Sequence, residues 1–326
     1  MNQTVRDWLA MGRVANLPTV VSNVLLGMVL GAFPLRWIDW AVLPVPLVAA
    51  CLLYLGGCYL NDWWDRKWDA ANKNDRPLPM GRIAPGAVLL VASVCLAAGL
   101  ALAATLSLET FLIGLLIVGL IILYTALHKK TPWAVLPMGG CRAGLYLFGI
   151  SSQIGLSASR LVWRGDMVDY YWWLFAPPLG ILAYIGGLSL CARQEAKGQL
   201  HRSNVVLASL LLFSPLVTHL SCLASNNIKD PLLAPWVLPA AMVPFIAAVV
   251  WGLRVVKKSI GGAVSIWLAS IGLLDFLLLF PVAFAAHLPA PYTRIEGPLP
   301  SLLLVPGVAL AAFLLARLLQ RLAPAT

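Results

Sequence analysis

Ten stretches of this chain are apolar for about 20 residues at a time, the length an α-helix needs to cross the roughly 30 Å hydrocarbon core of a bilayer. They run over residues 14–33, 41–60, 86–106, 109–127, 134–157, 171–191, 204–224, 236–253, 262–287 and 299–319. None alternates with period two as a barrel strand would. Backbone polar groups in lipid must be satisfied within the segment itself, so the spans are helices. The expected fold is an all-α, polytopic membrane helix bundle of nine to ten transmembrane helices. Composition agrees: 60% of the 326 residues are hydrophobic and only 11% charged, far from the balance of a soluble domain.

No repeat of fixed period and no low-complexity linker interrupts the pattern, so residues 1–326 are read as a single domain. The opening "MNQTVRDWLAMGRVANLP" carries an acid and lacks a small-residue cleavage site. It is expected to be a retained approach to the first span and not a signal peptide. Of the 23 lysines and arginines, all but Arg142 and the five residues Arg36, Arg160, Arg164, Lys229 and Arg294 fall at the termini or in loops after even-numbered spans. The positive-inside rule then puts both termini and the loop after the second span in the cytoplasm. The net charge of +10 is spread over several short loops, which suits anionic lipid and excludes a nucleic-acid-binding face. Six cysteines without CxxC spacing and four scattered histidines support neither a zinc site nor a histidine-based triad.

Against this apolar background one passage stands apart, "YLNDWWDRKWDAANKNDRPLPMGR", Tyr59 to Arg82. Four of the chain's 13 acidic residues, Asp62, Asp65, Asp69 and Asp75, lie within it. If the second span continues as a helix past Tyr59, then Asp62, Asp65 and Asp69 sit at i, i+3 and i+7 and share a face, with Asn61 beside them. Two arrangements fit this spacing. The carboxylates make surface ion pairs in an interfacial loop anchored by Trp63, Trp64 and Trp68. Alternatively, in a partly dehydrated cavity, they are held together by a cation among them. For that role Mg²⁺ fits, since it prefers hard oxygen ligands and is commonly shared between one or two carboxylates and the phosphates of a substrate.

"NDWWDRKWD" matches NDxxDxxxD and resembles the first Asp-rich motif of the UbiA superfamily of intramembrane prenyltransferases. The following "NDRPLPMGRI", the "LYTALHKKTPW" of Leu123 to Trp133 and the "GGCRAGLYLFG" of Gly139 to Gly149 are similar to further elements of that family. The resemblance covers roughly residues 10 to 290. It implies Mg-dependent transfer of a prenyl group from an isoprenoid diphosphate to a small, in some cases aromatic, acceptor within the membrane. On this resemblance Asn61, Asp62, Asp65 and Asp69 would hold Mg²⁺. Asp62, Asp65, Lys130 and Arg142 would be catalytic, and Asn61, Asp69, Arg76, Tyr124, Arg193, Glu195 and Lys197 would contact substrate.

The family's second Asp-rich motif, after the sixth span, is replaced here by "LCARQEAKGQLHR", Leu190 to Arg202, with Glu195 as its single acid. Arg193 and Lys197 would meet phosphate oxygens directly where other members use a second metal. This form resembles the divergent UbiA-like EboC branch, which implies a bacterial inner (plasma) membrane. The same departure leaves open an alternative function, a non-catalytic lipid-diphosphate binding or transport protein on the same fold.

Two charges lie inside spans, where each costs at least about 2.5 kcal/mol on insertion scales. Arg142 is expected to face the bundle interior, as an anion contact or as a tie to a carboxylate. Asp275 is expected to make a structural interhelical pair outside the site. Asn16 and Asn23 either line the cavity or make ordinary interhelical hydrogen bonds.

Overall fold

The computed structural model describes residues 2–35, 38–72, 76–157, 167–195, 202–225, 235–285 and 299–321. Among them are twelve α-helices and no strand: α1 Gln3–Met11, α2 Leu17–Leu35, α3 Pro44–Asn72, α4 Pro85–Leu106, α5 Leu108–Leu127, α6 Val135–Ser157, α7 Met167–Glu195, α8 Arg202–Ser225, α9 Val237–Val255, α10 Ile260–Ala269, α11 Ile271–Ala285 and α12 Leu299–Leu319. Eight spans within the described residues are long and apolar enough to cross a membrane; they draw on α2 to α5 and α7 to α11, with α10 and α11 forming one.

The remaining two of the ten apolar segments are α6 and α12. In α6, Arg142, Ser151, Ser152 and Gln153 dilute the apolar character, while α12 contributes the shorter apolar stretch Leu304–Leu319. The ninth segment is divided at Ser270, yet Ser270 N donates to Ile266 O and Leu274 N to Ser270 O, so the chain continues through the break as one span.

The bundle is apolar inside and out, as lipid requires. Leu90, Val94, Leu115, Leu210, Val217 and Leu314 project outward from α4, α5, α8 and α12, while Trp173, Tyr184, Phe245 and Trp267 fill the centre. With lipid as apolar as leucine, helices gain little from burial alone and associate through close packing. Helix α2 shows this best. Gly27 and Gly149 let α2 and α6 approach until a Cβ on Gly27 would strike the Tyr146 carbonyl and one on Gly149 the Val24 carbonyl. That contact brings the polar side chains of α2 against Arg142 and Tyr146 of α6.

Two features position the site. Helix α3 has 29 residues, about 43 Å of helix, and so outruns the hydrocarbon core by more than two turns. The Asp-rich segment is this overhang. Helix α1, capped by Asn2, packs back against it: Trp8 meets Tyr59 edge to face at 5.4 Å, Tyr59 Oη donates to Trp8 O, and Arg82 Nε donates to Asp7 Oδ2 at 2.8 Å. The N-terminal approach is thus a helix clamped over the end of α3.

Candidate functional site: a cation-lined cavity beneath the Asp-rich helix end

Because α3 continues unbroken to Asn72, Asn61, Asp62, Asp65 and Asp69 do share one face. That face points inward. The four residues are 3–9% exposed, whereas Trp64 and Trp68, which flank that face on the same turns, are 50% and 45% exposed. Of the two arrangements the spacing allowed, the interfacial surface loop is excluded; Trp64 and Trp68 face outward, while Trp63 packs against Met11 and Tyr59.

Buried carboxylates need partners, and each has one or more. Arg13 Nη2 lies 2.9 Å from Asp62 Oδ1, and Arg76 Nη1 bridges Asp69 at 3.1 Å and Asp62 at 3.8 Å. Lys129 Nζ lies 3.0 Å from Asp65 Oδ1 and 3.7 Å from Asp69 Oδ1, with its ammonium 3.9 Å from the Trp68 ring centre. His128 Nε2 contacts Asp65 Oδ2 at 2.9 Å, while its Nδ1 faces the Thr125 carbonyl at 3.0 Å. A carbonyl only accepts, so Nδ1 is a donor; in the imidazolium form both nitrogens donate, one to each partner. Tyr124 stacks on the His128 ring at 5.1 Å. Asp62 holds the Arg13 guanidinium well above its ordinary range. Arg13 also has φ +44°, the left-handed region that side chains other than glycine seldom adopt.

Below this layer lies a cavity of about 540 Å³, walled by Arg13 and Asn16 in the turn before α2 and by α3, α5, α6, α7 and α10. Its polar lining includes Arg13, Asn61, His128, Arg142, Ser189 and Arg193; the rest is largely Ile117, Ile121, Met138, Leu145, Ile185, Leu188 and Leu268. Arg193 is tethered by Nη2 to the Thr131 carbonyl at 2.8 Å. Arg142 is 8% exposed and donates through Nη1 to Thr19 Oγ1 and Asn23 Oδ1, both at 3.1 Å, with its guanidinium 5.4 Å from the Tyr54 ring centre.

The residues singled out from the sequence are distributed as follows. Asn61, Tyr124, Arg142 and Arg193 line the cavity. Asp62, Asp69 and Arg76 border a small crevice beside it, with Met11 and Leu78. Asp65 is behind His128 and Lys129. Lys130 is exposed, and among the described residues the lysine that reaches the carboxylates is Lys129. The physical reason is the end of α5: Lys130 N closes the turn onto Leu127 O, one position past the residue that faces α3. The Glu195 side chain and all of Lys197 lie outside the described residues. The sequence reading missed Arg13, His128, Lys129 and Ser189. His128 and Lys129 stand within the "LYTALHKK" segment already singled out, but Arg13 is 49 positions from Asp62 and nothing in its spacing announces the pair.

The donor set fits Mg²⁺ in a particular way. Among the described residues no three acidic, histidine or cysteine side chains converge on one point as a protein cage would require. Yet the Asn61 Oδ1, buried in the cavity wall, has no hydrogen-bond partner among the described residues, and the neighbouring carboxylates offer hard oxygens once a cation partner is exchanged. This suits an ion carried mainly by the phosphates of a substrate, which is how Mg²⁺ is commonly bound.

The fold and site define a class: a polytopic helical membrane protein with an apolar intramembrane cavity whose mouth is ringed by cations and an Asp-rich helix end. Residues 20–269 match the model of the UbiA prenyltransferase family, and the chain belongs to that family. Among curated relatives it is similar to the digeranylgeranylglyceryl phosphate synthase of Methanopyrus kandleri, 30% identical over 49% of this chain and 57% of that protein. It is also similar to the synthase of the same name from Methanothrix thermoacetophila, 36% identical over 36% of this chain and 42% of that protein. The matched region thus spans about half the length of these relatives. A solved structure of a digeranylgeranylglyceryl phosphate synthase superposes with a TM-score of 0.57 at 17% identity, covering 86% of this chain and 99% of that one. This likeness establishes the fold.

Proposed function

We propose that the protein transfers a prenyl group from an isoprenoid diphosphate to a small acceptor inside the membrane, with Mg²⁺ on the diphosphate. The observation that carries this reading is the cavity itself, which joins a cation-rich mouth containing the unpartnered Asn61 Oδ1 to apolar walls deep among the helices. A diphosphate with a hydrocarbon tail has the same two-part chemistry. Names among the matched relatives carry a glyceryl phosphate and, in a mitochondrial enzyme of Drosophila melanogaster that is 30% identical over 32% of this chain and 27% of its own length, 4-hydroxybenzoate. The acceptor here is accordingly kept to a small molecule with a nucleophilic oxygen or carbon.

In this reading the tail lies among Ile117, Ile121, Leu145 and Leu188, and the diphosphate lies at the mouth. Mg²⁺ supplies neutralisation of the charge on the leaving group. Asn61, Asp62 and Asp65, with Asp69 beside them, would hold it, releasing Arg13, Arg76 and Lys129 toward phosphate oxygens as they do so. Arg193 faces the cavity where it meets a phosphate oxygen by a charge-assisted bond. The C1–O bond breaks with its electron pair leaving on the diphosphate, and the acceptor attacks C1 and loses its proton. Apolar walls exclude water from the allylic cation, and the faces of Tyr54 and Tyr124 stabilise positive charge without acting as strong nucleophiles. The cation distribution along the chain supports a cytoplasmic mouth.

The test is pyrophosphate release by the purified protein in detergent from geranyl, farnesyl and geranylgeranyl diphosphates, with glycerol phosphate ethers and hydroxybenzoates as acceptors, with and without Mg²⁺. Release that requires Mg²⁺ and is lost in Asp62→Ala supports the transferase. The sequence Leu190 to Arg202, with Glu195 as its single acid, favours a second reading, a lipid-diphosphate carrier. Tight Mg²⁺-dependent binding with no release under any acceptor would select it.

A further inference from the structure

The buried carboxylate of Asp275 has no part in the reading above, yet it is wired to the cavity. Asp275 lies in the middle of α11 and is fully buried. Its contacts are all to donors: Ser22 Oγ and Asn23 Nδ2 of α2 and the Tyr146 hydroxyl of α6, with Asn23 Nδ2 at 2.9 and 3.1 Å from its two oxygens. Four contacts from three residues thus close on one carboxyl group at the crossing of α2, α6 and α11. Asn23, itself fully buried, spends both ends of its amide: Nδ2 on Asp275 and Oδ1 on Arg142 Nη1 at 3.1 Å. Among the described residues Arg142 has no carboxylate within ion-pair distance, and a single amide connects it to the Asp275 carboxyl group.

The location gives this pairing a role. Arg142 stands over the ring of Tyr54, a residue two turns before Asn61 on α3 and so on the apolar side of the mouth. A diphosphate seated at the mouth extends its hydrocarbon tail past that side chain. An unbalanced guanidinium there, in a low-dielectric cavity, repels a carbon that is becoming positive. A buried ion pair is a poor way to gain stability, because desolvation consumes most of the attraction; intramembrane charges are more often kept for function. Asp275 also lies beyond the residues matched by the family model, which end at 269.

We propose that Asp275 is a positioning residue for prenyl transfer: through Asn23 it fixes the Arg142 guanidinium in the cavity wall and cancels its charge where the allylic cation forms. The inference rests on the isoprenoid-diphosphate reading. Its test is a comparison of two ligands with Mg²⁺ by calorimetry in detergent. One is geranyl diphosphate; the other is its aza analogue, in which a tertiary ammonium replaces the branched allylic carbon. Asp275→Asn is expected to weaken the ammonium analogue about tenfold and to leave geranyl diphosphate within about threefold of wild type. Adding Arg142→Gln to Asp275→Asn removes the unbalanced charge and restores the analogue to within about threefold. A purely structural role moves both ligands together, and such parallel losses, or no change in either, overturn the proposal. So does a double variant no better than Asp275→Asn alone. Wild-type protein that binds neither ligand overturns the diphosphate reading first, and this inference with it.

Discussion

Replacing Asp65 by asparagine tests the site most directly, because the two side chains have the same shape and differ in charge. Asp65 accepts from His128 at 2.9 Å and from Lys129 at 3.0 Å, and its side chain is 7% exposed. Asparagine retains one acceptor oxygen and presents an NH₂ group to the other donor, so one of two charge-assisted bonds is lost outright. Such bonds contribute about 1.5–3 kcal/mol when buried. The Lys129 side chain is 27% exposed, which places its bond toward the weaker, solvent-screened end. The ligand-free protein is therefore expected to lose about 2 kcal/mol in denaturant unfolding.

Ligand binding is expected to suffer more. The site loses a hard anionic oxygen and leaves Lys129 with Asp69, at 3.7 Å, as its counter-charge, and loss of even an outer partner of a metal ligand costs 10–100-fold. We expect Mg²⁺-dependent affinity for geranylgeranyl diphosphate to fall by about 100-fold. The control is Glu109→Gln, at the opposite, exposed end of α5, which is expected to leave affinity unchanged. The assay is calorimetric titration in detergent with and without Mg²⁺, beside an unfolding curve for each variant. Affinity within threefold of wild type, in a variant that has lost the expected stability, would reduce Asp65 to a structural ion pair and refute the assignment.

Lys129→Met is expected to weaken Mg²⁺-dependent diphosphate binding by about tenfold, while Lys130→Met, one residue along and exposed, stays within twofold; the same titration separates them. Arg193→Gln is expected to cost about 1.5–3 kcal/mol of diphosphate affinity, measured as the ratio of dissociation constants, with Arg193→Lys intermediate because it keeps charge but not the planar fork. Gly27→Leu places a side chain against the Tyr146 carbonyl and is expected to destabilise the α2–α6 contact by about 3 kcal/mol or more, read as a fall in unfolding midpoint and in monodisperse yield. Chelation of divalent ions is expected to abolish diphosphate binding and leave the unfolding midpoint of the ligand-free protein unchanged, since Arg13, Arg76 and Lys129 already neutralise the three carboxylates.

The helical bundle was legible in the sequence because the bilayer imposes a local rule: about 20 apolar residues with their backbone bonds satisfied internally, a requirement each segment meets alone. The shared face of Asn61, Asp62, Asp65 and Asp69 was equally local, a matter of helical period once α3 runs on past Tyr59. The sequence could not tell which way that face turned, because burial depends on what packs against it. Only the tertiary structure set α1 and the end of α5 there. The pairing of Arg13 with Asp62, the choice of Lys129 over Lys130, and the Asp275–Asn23–Arg142 connection each join residues that no periodicity relates. The last of these follows from the close crossing of α2 and α6 at Gly27 and Gly149, beside which α11 brings Asp275 within hydrogen-bonding reach. Long-range contacts of this kind are decided by the geometry of packing, and along the chain their partners look like isolated charges in grease.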